Sequence, residues 1–229
     1  MKIGGFQKFS LIDYPGKICA IVFTQGCNFR CPYCHNPELV EADKFCNPIP
    51  EEEIINFLEN RKGKLDAVSI TGGEPTLHSD LINFLLECRS MGFSIKLDTN
   101  GTNPDILEKI IRLKLVDYLA MDIKAPLPKY AEVTCSNVDS KSIKRSIKLI
   151  ENSNIDYEFR STLVQNLLTT DDVLIMGQML GKAKRYLLQK FVPSKTLNED
   201  YVKFSSFSQE NLNFLARELQ TNFADFAIR

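Results

Sequence analysis

Ile18-Cys19-Ala20-Ile21-Val22-Phe23-Thr24-Gln25-Gly26-Cys27-Asn28-Phe29-Arg30-Cys31-Pro32-Tyr33-Cys34 is a β-rich run that leads straight into three cysteines. Residues 18–24 read as a strand, and five further strand candidates follow at 67–71, 94–98, 118–123, 157–163 and 185–191. Helix candidates lie between them. Ser79 is placed to cap one with Leu81, Phe84, Leu85 and Cys88 on a single face, stopped by Gly92. Asn103-Pro104 opens another with Ile106, Leu107, Ile110 and Ile111 inward. Further helices fit 51–60, 141–151 and 171–180, and a last one starts near Ser208. Six β–α units in series imply a parallel α/β sheet with right-handed crossovers. An open doubly wound sheet and a partial barrel both satisfy that pattern. The distinctive residues fall at strand ends: Cys27 after the first, Gly72-Gly73-Glu74 after the second, Asp98-Thr99-Asn100-Gly101 at the third, Asp122 and Lys124 at the fourth. Arg160 lies in the fifth. Both sheet types place their sites at C-terminal strand ends.

The chain has 229 residues, the size of one domain, with the barrel core expected at about 18–191 and a short helical extension at about 192–229. Its 28 basic and 29 acidic residues balance, which argues against a general nucleic-acid or membrane binder. No apolar run approaches the ~18 residues of a membrane helix, and Met1-Lys2-Ile3-Gly4-Gly5 lacks a signal-peptide core. A cytoplasmic location is the expectation. Thiols stay reduced there, so seven cysteines suggest metal binding or catalysis rather than disulfides.

Cys19 and Cys88 read as small buried hydrophobes, and Cys46 and Cys135 fall in loops. Cys27, Cys31 and Cys34 stand apart. Clustered thiolates favour zinc or an iron–sulfur centre. Structural zinc fills four positions, usually through paired Cys-x2-Cys or Cys/His spacings. Only three cysteines are close here, and His35 directly follows Cys34, which would strain the chelate. Three ligands on a four-iron cube leave one iron open. Spacing alone keeps iron–sulfur, zinc and no metal all in play.

Cys-x3-Cys-x2-Cys with an aromatic residue before the last Cys is the signature of the radical S-adenosylmethionine (SAM) superfamily, which this chain resembles. Cys31-Pro32-Tyr33-Cys34-His35-Asn36, after Phe23-Thr24-Gln25-Gly26-Cys27, resembles the glycyl-radical-enzyme activases. Ser10-Leu11-Ile12-Asp13-Tyr14-Pro15-Gly16-Lys17 is similar to the branch that activates anaerobic ribonucleoside-triphosphate reductase. The likeness runs from about residue 4 to 193 and is densest over 10–38. It implies a partial (β/α)6 barrel and one 4Fe-4S cluster on Cys27, Cys31 and Cys34. It also implies reductive cleavage of SAM to a 5′-deoxyadenosyl radical, and a glycyl radical enzyme as protein substrate. The implied electron donor is reduced flavodoxin or ferredoxin. Related activases with two extra clusters would need about eight further cysteines, and only four remain. A radical SAM enzyme acting on a small molecule and a zinc scaffold are the alternatives.

The same resemblance assigns the remaining residues. Gly72-Gly73-Glu74 would bind the amino group of SAM, where the plain reading is a strand-to-helix turn. Asp98, Thr99 and Asp122 match residues beside SAM that hold a monovalent cation, within an Asp-Thr-Asn-Gly string that here ends in Asn100-Gly101. Lys124 would face the SAM carboxylate or ribose, and Arg160 would lie near SAM; the plain readings are a solvated strand end and a structural ion pair. Tyr33 and His35 would line the adenine side. Asp13 would meet the partner's glycine loop, although Asp-Tyr-Pro-Gly is also ordinary turn chemistry. Pyruvate formate-lyase activases carry a histidine near the end of the sixth strand, where this chain has Leu187-Leu188-Gln189-Lys190. Lys182, Lys184, Arg185 and Lys190 form a basic group, read either as a solvated face or as a dock for an acidic donor.

Overall fold

The computed structural model describes residues 1–181 and 183–229, so Lys182 of the basic group lies outside the described residues. Eight strands form one sheet in chain order: β1 (Ile3–Ser10), β2 (Cys19–Thr24), β3 (Ala67–Gly72), β4 (Ser94–Thr99), β5 (Tyr118–Asp122), β6 (Asp156–Leu163), β7 (Arg185–Lys190) and β8 (Asp225–Ile228). From β2 to β8 every neighbouring pair is parallel. The ends of β2 to β7 lie within one residue of the sequence expectation. β1 and β8 were not expected. β1 pairs antiparallel with β2 at one edge, and its Ile-Gly-Gly-Phe-Gln-Lys-Phe-Ser sequence lacks a clean apolar alternation because Gln7, Lys8 and Phe9 face solvent. The extension carries the expected helix, Gln209–Leu219, and after it β8, whose four residues add a strand beside β7.

The helices are α1 (Pro37–Val40), α2 (Glu51–Glu59), α3 (Leu81–Ser90), α4 (Pro104–Arg112), α5 (Tyr130–Thr134), α6 (Ser140–Glu151), α7 (Thr170–Leu180) and α8 (Gln209–Leu219). Side-chain caps set the starts of α4, α6, α7 and α8. Asn103 accepts from Ile106 N with Pro104 in the first turn of α4, and Thr169 and Asp172 form a reciprocal capping box on α7. Ser208 caps α8 as expected. Ser79 does not cap α3: Asp80 holds that position and makes no side-chain cap bond.

Alternation along the strands separates two environments. Val22, Ile70, Leu97, Met121, Phe159 and Leu188 point outward into the core shared with the helices. Each such side chain contributes about 1.5–3 kcal/mol by leaving water. The concave face is different. Its N-terminal end is closed by Tyr14, Cys19, Ile21, Ala67, Tyr118 and Ala120, with the Tyr14 and Tyr118 rings 5.6 Å apart. Beyond that plug, Lys96, Asp98 and Glu158 are buried on the same face. Buried charges are tolerable only when paired, so this face is built for polar work rather than packing.

Candidate active site

The C-terminal ends of the parallel strands surround a cavity of about 310 Å³. Cys27, Cys31 and Cys34 line it, together with Tyr33, His35, Gly72, Gly73, Glu74, Asp98, Thr99, Asn100, Asp122, Lys124 and Arg160. Asp13 does not. The cavity also takes in Phe29, Asn36, Val40, Thr71, Thr162 and Gln189, to which sequence reasoning gave no role. A signal for two of these existed. Thr162 follows Arg160 by two positions and therefore shares its face, and Gln189 is its register partner on β7.

The cysteine loop is held from several sides. Arg30 N donates to Thr134 O at the end of α5 (2.8 Å), and the Arg30 guanidinium donates to the carbonyls of Cys27 and Phe29 (2.6 and 2.8 Å). Leu197 N donates to Cys34 O and Asn198 N to Pro32 O, each at 2.9 Å, so the segment after β7 folds back over the loop. His35 stacks on Phe191 at 5.4 Å and 10°, and Tyr33 meets the same ring edge-on at 6.5 Å. Asn100 Nδ2 donates to Asn28 Oδ1 (2.8 Å) and lies 4.0 Å from Cys27 Sγ.

The glycine pair serves the chain itself. Gly72 has φ of +116°, and a Cβ there would sit 2.3 Å from Thr24 N. A Cβ on Gly73 would sit 2.0 Å from Gly26 O. Both are pressed against the backbone that leaves β2 for the cysteine loop, and Glu74 N donates to Gly26 O at 2.8 Å. Close approach was expected toward a ligand; the structure shows it first toward Thr24 and Gly26. The buried Glu74 carboxylate accepts from Thr76 N, Thr76 Oγ1, Thr99 Oγ1 and Asn100 N, tying the end of β3 to the end of β4. Burial pushes its pKa up despite those four bonds. Gly73→Ala should cost about 1–3 kcal/mol, the scale of overpacking, and should lower iron retention because the loop must move. Urea unfolding and iron content after anaerobic reconstitution check this; wild-type values for both would contradict it.

Opposite the cysteines runs a ladder of charges. Asp13 Oδ2 lies 3.3 Å from Lys96 Nζ, which lies 2.7 Å from Asp98 Oδ1. Arg160 then bridges Asp98 Oδ2 (3.1 Å) and Asp122 Oδ1 (2.9 Å), and Lys124 Nζ sits 3.1 Å from Asp122 Oδ2. Thr71 Oγ1 donates to Asp98 Oδ2 at 3.1 Å. Burial works against both carboxylates, but Arg160 with Lys96 holds Asp98 below the usual carboxylate range, and Arg160 with Lys124 does so for Asp122. The ion pair that was the plain reading for Arg160 is therefore present, and it borders the cavity. Arg160 also spans the two aspartates that the resemblance gave to a monovalent cation.

The sequence profile of the Radical SAM superfamily matches residues 21–171, which is most of the chain. The chain belongs to the radical SAM superfamily. Within it, the chain is 34% identical over 220 residues to a Methanocaldococcus jannaschii protein provisionally named a glycyl-radical enzyme activating enzyme, covering 94% of this chain and 90% of the relative. It is 26% identical over 228 residues to the pyruvate formate-lyase-activating enzyme of Clostridium pasteurianum, covering 96% and 90%. It groups with the glycyl-radical enzyme activating enzymes. In fold it is similar to the crystal structure of Streptococcus suis SuiB bound to S-adenosylmethionine, with a TM-score of 0.68 at 17% identity over 91% of this chain and 49% of that one. The chain thus spans about half the length of that solved structure.

Radical SAM enzymes use a 4Fe-4S cluster and SAM, and the residues present fit both. Burial pushes Cys27 up to about 12 and Cys31 up to about 11, and raises Cys34. Free thiols here would be neutral at pH 7, whereas a bound metal deprotonates a coordinating thiol outright. Lys124 favours the thiolate form of all three. No fourth cysteine reaches the cavity, so three thiolates leave one metal position open. The volume lies at the small end of the range for small-molecule sites. Its walls offer cations for a carboxylate, at Lys124 and Arg160, and rings for a base, at Tyr33 and His35. Among the described residues no helix is long and apolar enough to cross a membrane.

Proposed function

We propose that this radical SAM enzyme generates a glycyl radical on anaerobic ribonucleoside-triphosphate reductase, taking its electron from a reduced flavodoxin or ferredoxin. The observation that carries the activating role is the convergence of the three thiols with Gly73, Glu74, Asp98, Asp122, Lys124 and Arg160 on one cavity. The similarity of Ser10–Lys17 to that reductase's activators favours the target, and Leu187-Leu188-Gln189-Lys190, which holds no histidine, argues against pyruvate formate-lyase as the partner. When bound, the reduced cluster and SAM supply a 5′-deoxyadenosyl radical that takes a hydrogen atom from a glycine Cα. The chain's own residues bind and orient. Cys27, Cys31 and Cys34 hold the cluster, and Gly73 with Glu74 fixes the wall that meets the amino group of SAM. Lys124 and Arg160 meet its carboxylate and ribose, oriented by Asp122 and Asp98, and Tyr33 and His35 flank its adenine. Exposed Leu11 and Ile12 beside Asp13 receive the partner's glycine loop.

The test is anaerobic. The reconstituted protein, dithionite, SAM and the purified reductase should yield the doublet of a glycyl radical in electron paramagnetic resonance, with 5′-deoxyadenosine released. Asp122→Ala should keep about four irons per chain and lose at least about tenfold in 5′-deoxyadenosine formation, the scale of one lost charged hydrogen bond. A signal with a different glycyl radical enzyme and none with the reductase would move the target. No 5′-deoxyadenosine from wild type would overturn the enzymatic reading.

A further inference from the structure

Lys124 and Arg160 line the cavity, but a third buried cation does not. Lys96 lies two residues before Asp98 on β4, on the same concave face, and is 1% exposed. Its register partners are Ser69 and Tyr118, and Ile21, Ala67 and Tyr118 at this depth belong to the plug. A buried ion pair gains no more than apolar side chains of the same volume, so stability does not account for a lysine here. Nor does Lys96 answer the hydroxyl of Ser69, which is buried with no hydrogen-bond partner among the described residues.

Two carboxylates hold it. Its Nζ lies 2.7 Å from Asp98 Oδ1 and 3.3 Å from Asp13 Oδ2, while Arg160 repels it. Asp98 Oδ2 is taken up by Arg160 and Thr71, so Lys96 completes the hold on that carboxylate. Asp13 sits in a turn that is fixed from other sides as well. Ser10 Oγ accepts from the N–H groups of Ile12 (3.4 Å) and Asp13 (3.3 Å), and the Tyr14 ring packs on Tyr118. Leu11 and Ile12 project from the same turn, 62% and 90% exposed, while the Asp13 side chain is only 21% exposed. Asp98, Lys96 and Asp13 thus join the cavity wall to the exposed turn in two contacts.

We propose that Lys96 is a positioning residue that, through Asp13, fixes the turn bearing Leu11 and Ile12 to the cavity wall at Asp98, and so sets where the partner's glycine Cα meets SAM. Asp13 then works inward, and contact with the partner falls to Leu11 and Ile12. Reacting atoms must approach to about 3–3.5 Å, and a misplacement of about 1 Å costs on the order of a hundredfold. Lys96 itself exchanges no atom: the hydrogen atom passes from the glycine Cα to C5′ of the cleaved SAM. With the glycine out of reach, that carbon takes an electron from dithionite and a proton from water, and 5′-deoxyadenosine forms without a glycyl radical. This inference rests on the proposed function, and its test separates the two.

The variants are Lys96→Met, Asp13→Asn and the two combined, each reconstituted anaerobically. Two quantities are compared with wild type. The first is glycyl radical formed per 5′-deoxyadenosine released, with dithionite, SAM and the purified reductase. It should fall at least about tenfold in each single variant, and no further in the double variant, because both changes break one contact. The second is the rate of trypsin cleavage after Lys17 without SAM or partner, followed by mass spectrometry. It should rise at least about fivefold in both single variants, as expected when a turn loses an anchor. A wild-type ratio in Lys96→Met would overturn the inference, as would radical and 5′-deoxyadenosine falling in proportion, which would leave Lys96 a support of the SAM wall alone. Losses that add in the double variant, or unchanged cleavage after Lys17, would overturn the route through Asp13. Should Lys96→Met not fold, Asp13→Asn carries the same two readouts from the more exposed end of the contact. Wild type that releases 5′-deoxyadenosine but forms no radical on the reductase would instead overturn the proposed target, with the trypsin comparison still deciding the anchor.

Discussion

Replacing any one of Cys27, Cys31 or Cys34 by alanine should abolish both cluster retention and SAM cleavage. Two thiolates cannot hold a four-iron cube that already has one open position. The loss should be complete rather than graded, because no spare donor of the same kind lines the cavity. His35 is the nearest substitute by sequence, but its ring lies flat on Phe191 and its Nε2 is 2.9 Å from Val192 O at the rim. Cys88→Ala provides the contrast. Cys88 is buried in α3 on the far side of the sheet from the cavity, so that variant should keep the cluster and lose only modest stability. Iron and sulfide content, the visible spectrum under argon and 5′-deoxyadenosine yield are the measurements. A cysteine variant that retained about four irons would remove that residue from the ligand set. Stoichiometric zinc without iron after anaerobic preparation would remove the cluster itself.

Arg160→Met should cost about 3 kcal/mol at pH 7, the lower end of the range for breaking a buried pair. The lower end applies because Lys96 and Lys124 still face the two aspartates. The pH dependence distinguishes lost charge balance from lost packing. In wild type, Asp98 and Asp122 are depressed, so the stability they contribute is fully present above the unfolded carboxylate value of about 3.9 and is lost as pH falls through their lower folded values. Without the guanidinium, burial dominates and their folded values rise. Protonation then relieves the unpaired charge, so the gap between variant and wild type should narrow from pH 7 toward pH 4.5. Urea midpoints at the two pH values test this. A gap independent of pH would assign Arg160 a packing role alone.

Much of the architecture was legible because the inputs are local. Each of β2 to β7 is a short run of residues such as Ala67-Val68-Ser69-Ile70-Thr71, with helical segments between successive runs, and such a series admits few topologies. β1 and β8 were not legible. Gly4 and Gly5 weaken the pattern of β1, and β8 is only Asp-Phe-Ala-Ile; both exist because the edges of β2 and β7 offer hydrogen bonds to complete. An edge strand takes its structure from its neighbour, and the neighbour is far away in sequence.

For the site, the sequence by itself determined the chemistry. Cys27, Cys31 and Cys34 lie within eight residues, so any compact fold of that loop keeps the thiols close. The strand pattern likewise placed Asp98 and Asp122 at the C-terminal ends of two strands and Arg160 within the next. What only the tertiary structure decided is which of these groups answer one another. Arg160 bridges Asp98 and Asp122 because β4, β5 and β6 are adjacent and in a register that sets Asp122 beside Arg160. Asp13 joins the same ladder through Lys96 because the loop before β2 folds under the concave face. Leu197 and Asn198 clasp the cysteine loop although more than 160 residues separate them from it. These contacts depend on sheet order, register and chain return, which are properties of the whole packed chain, and no residue type or spacing within a single segment encodes them.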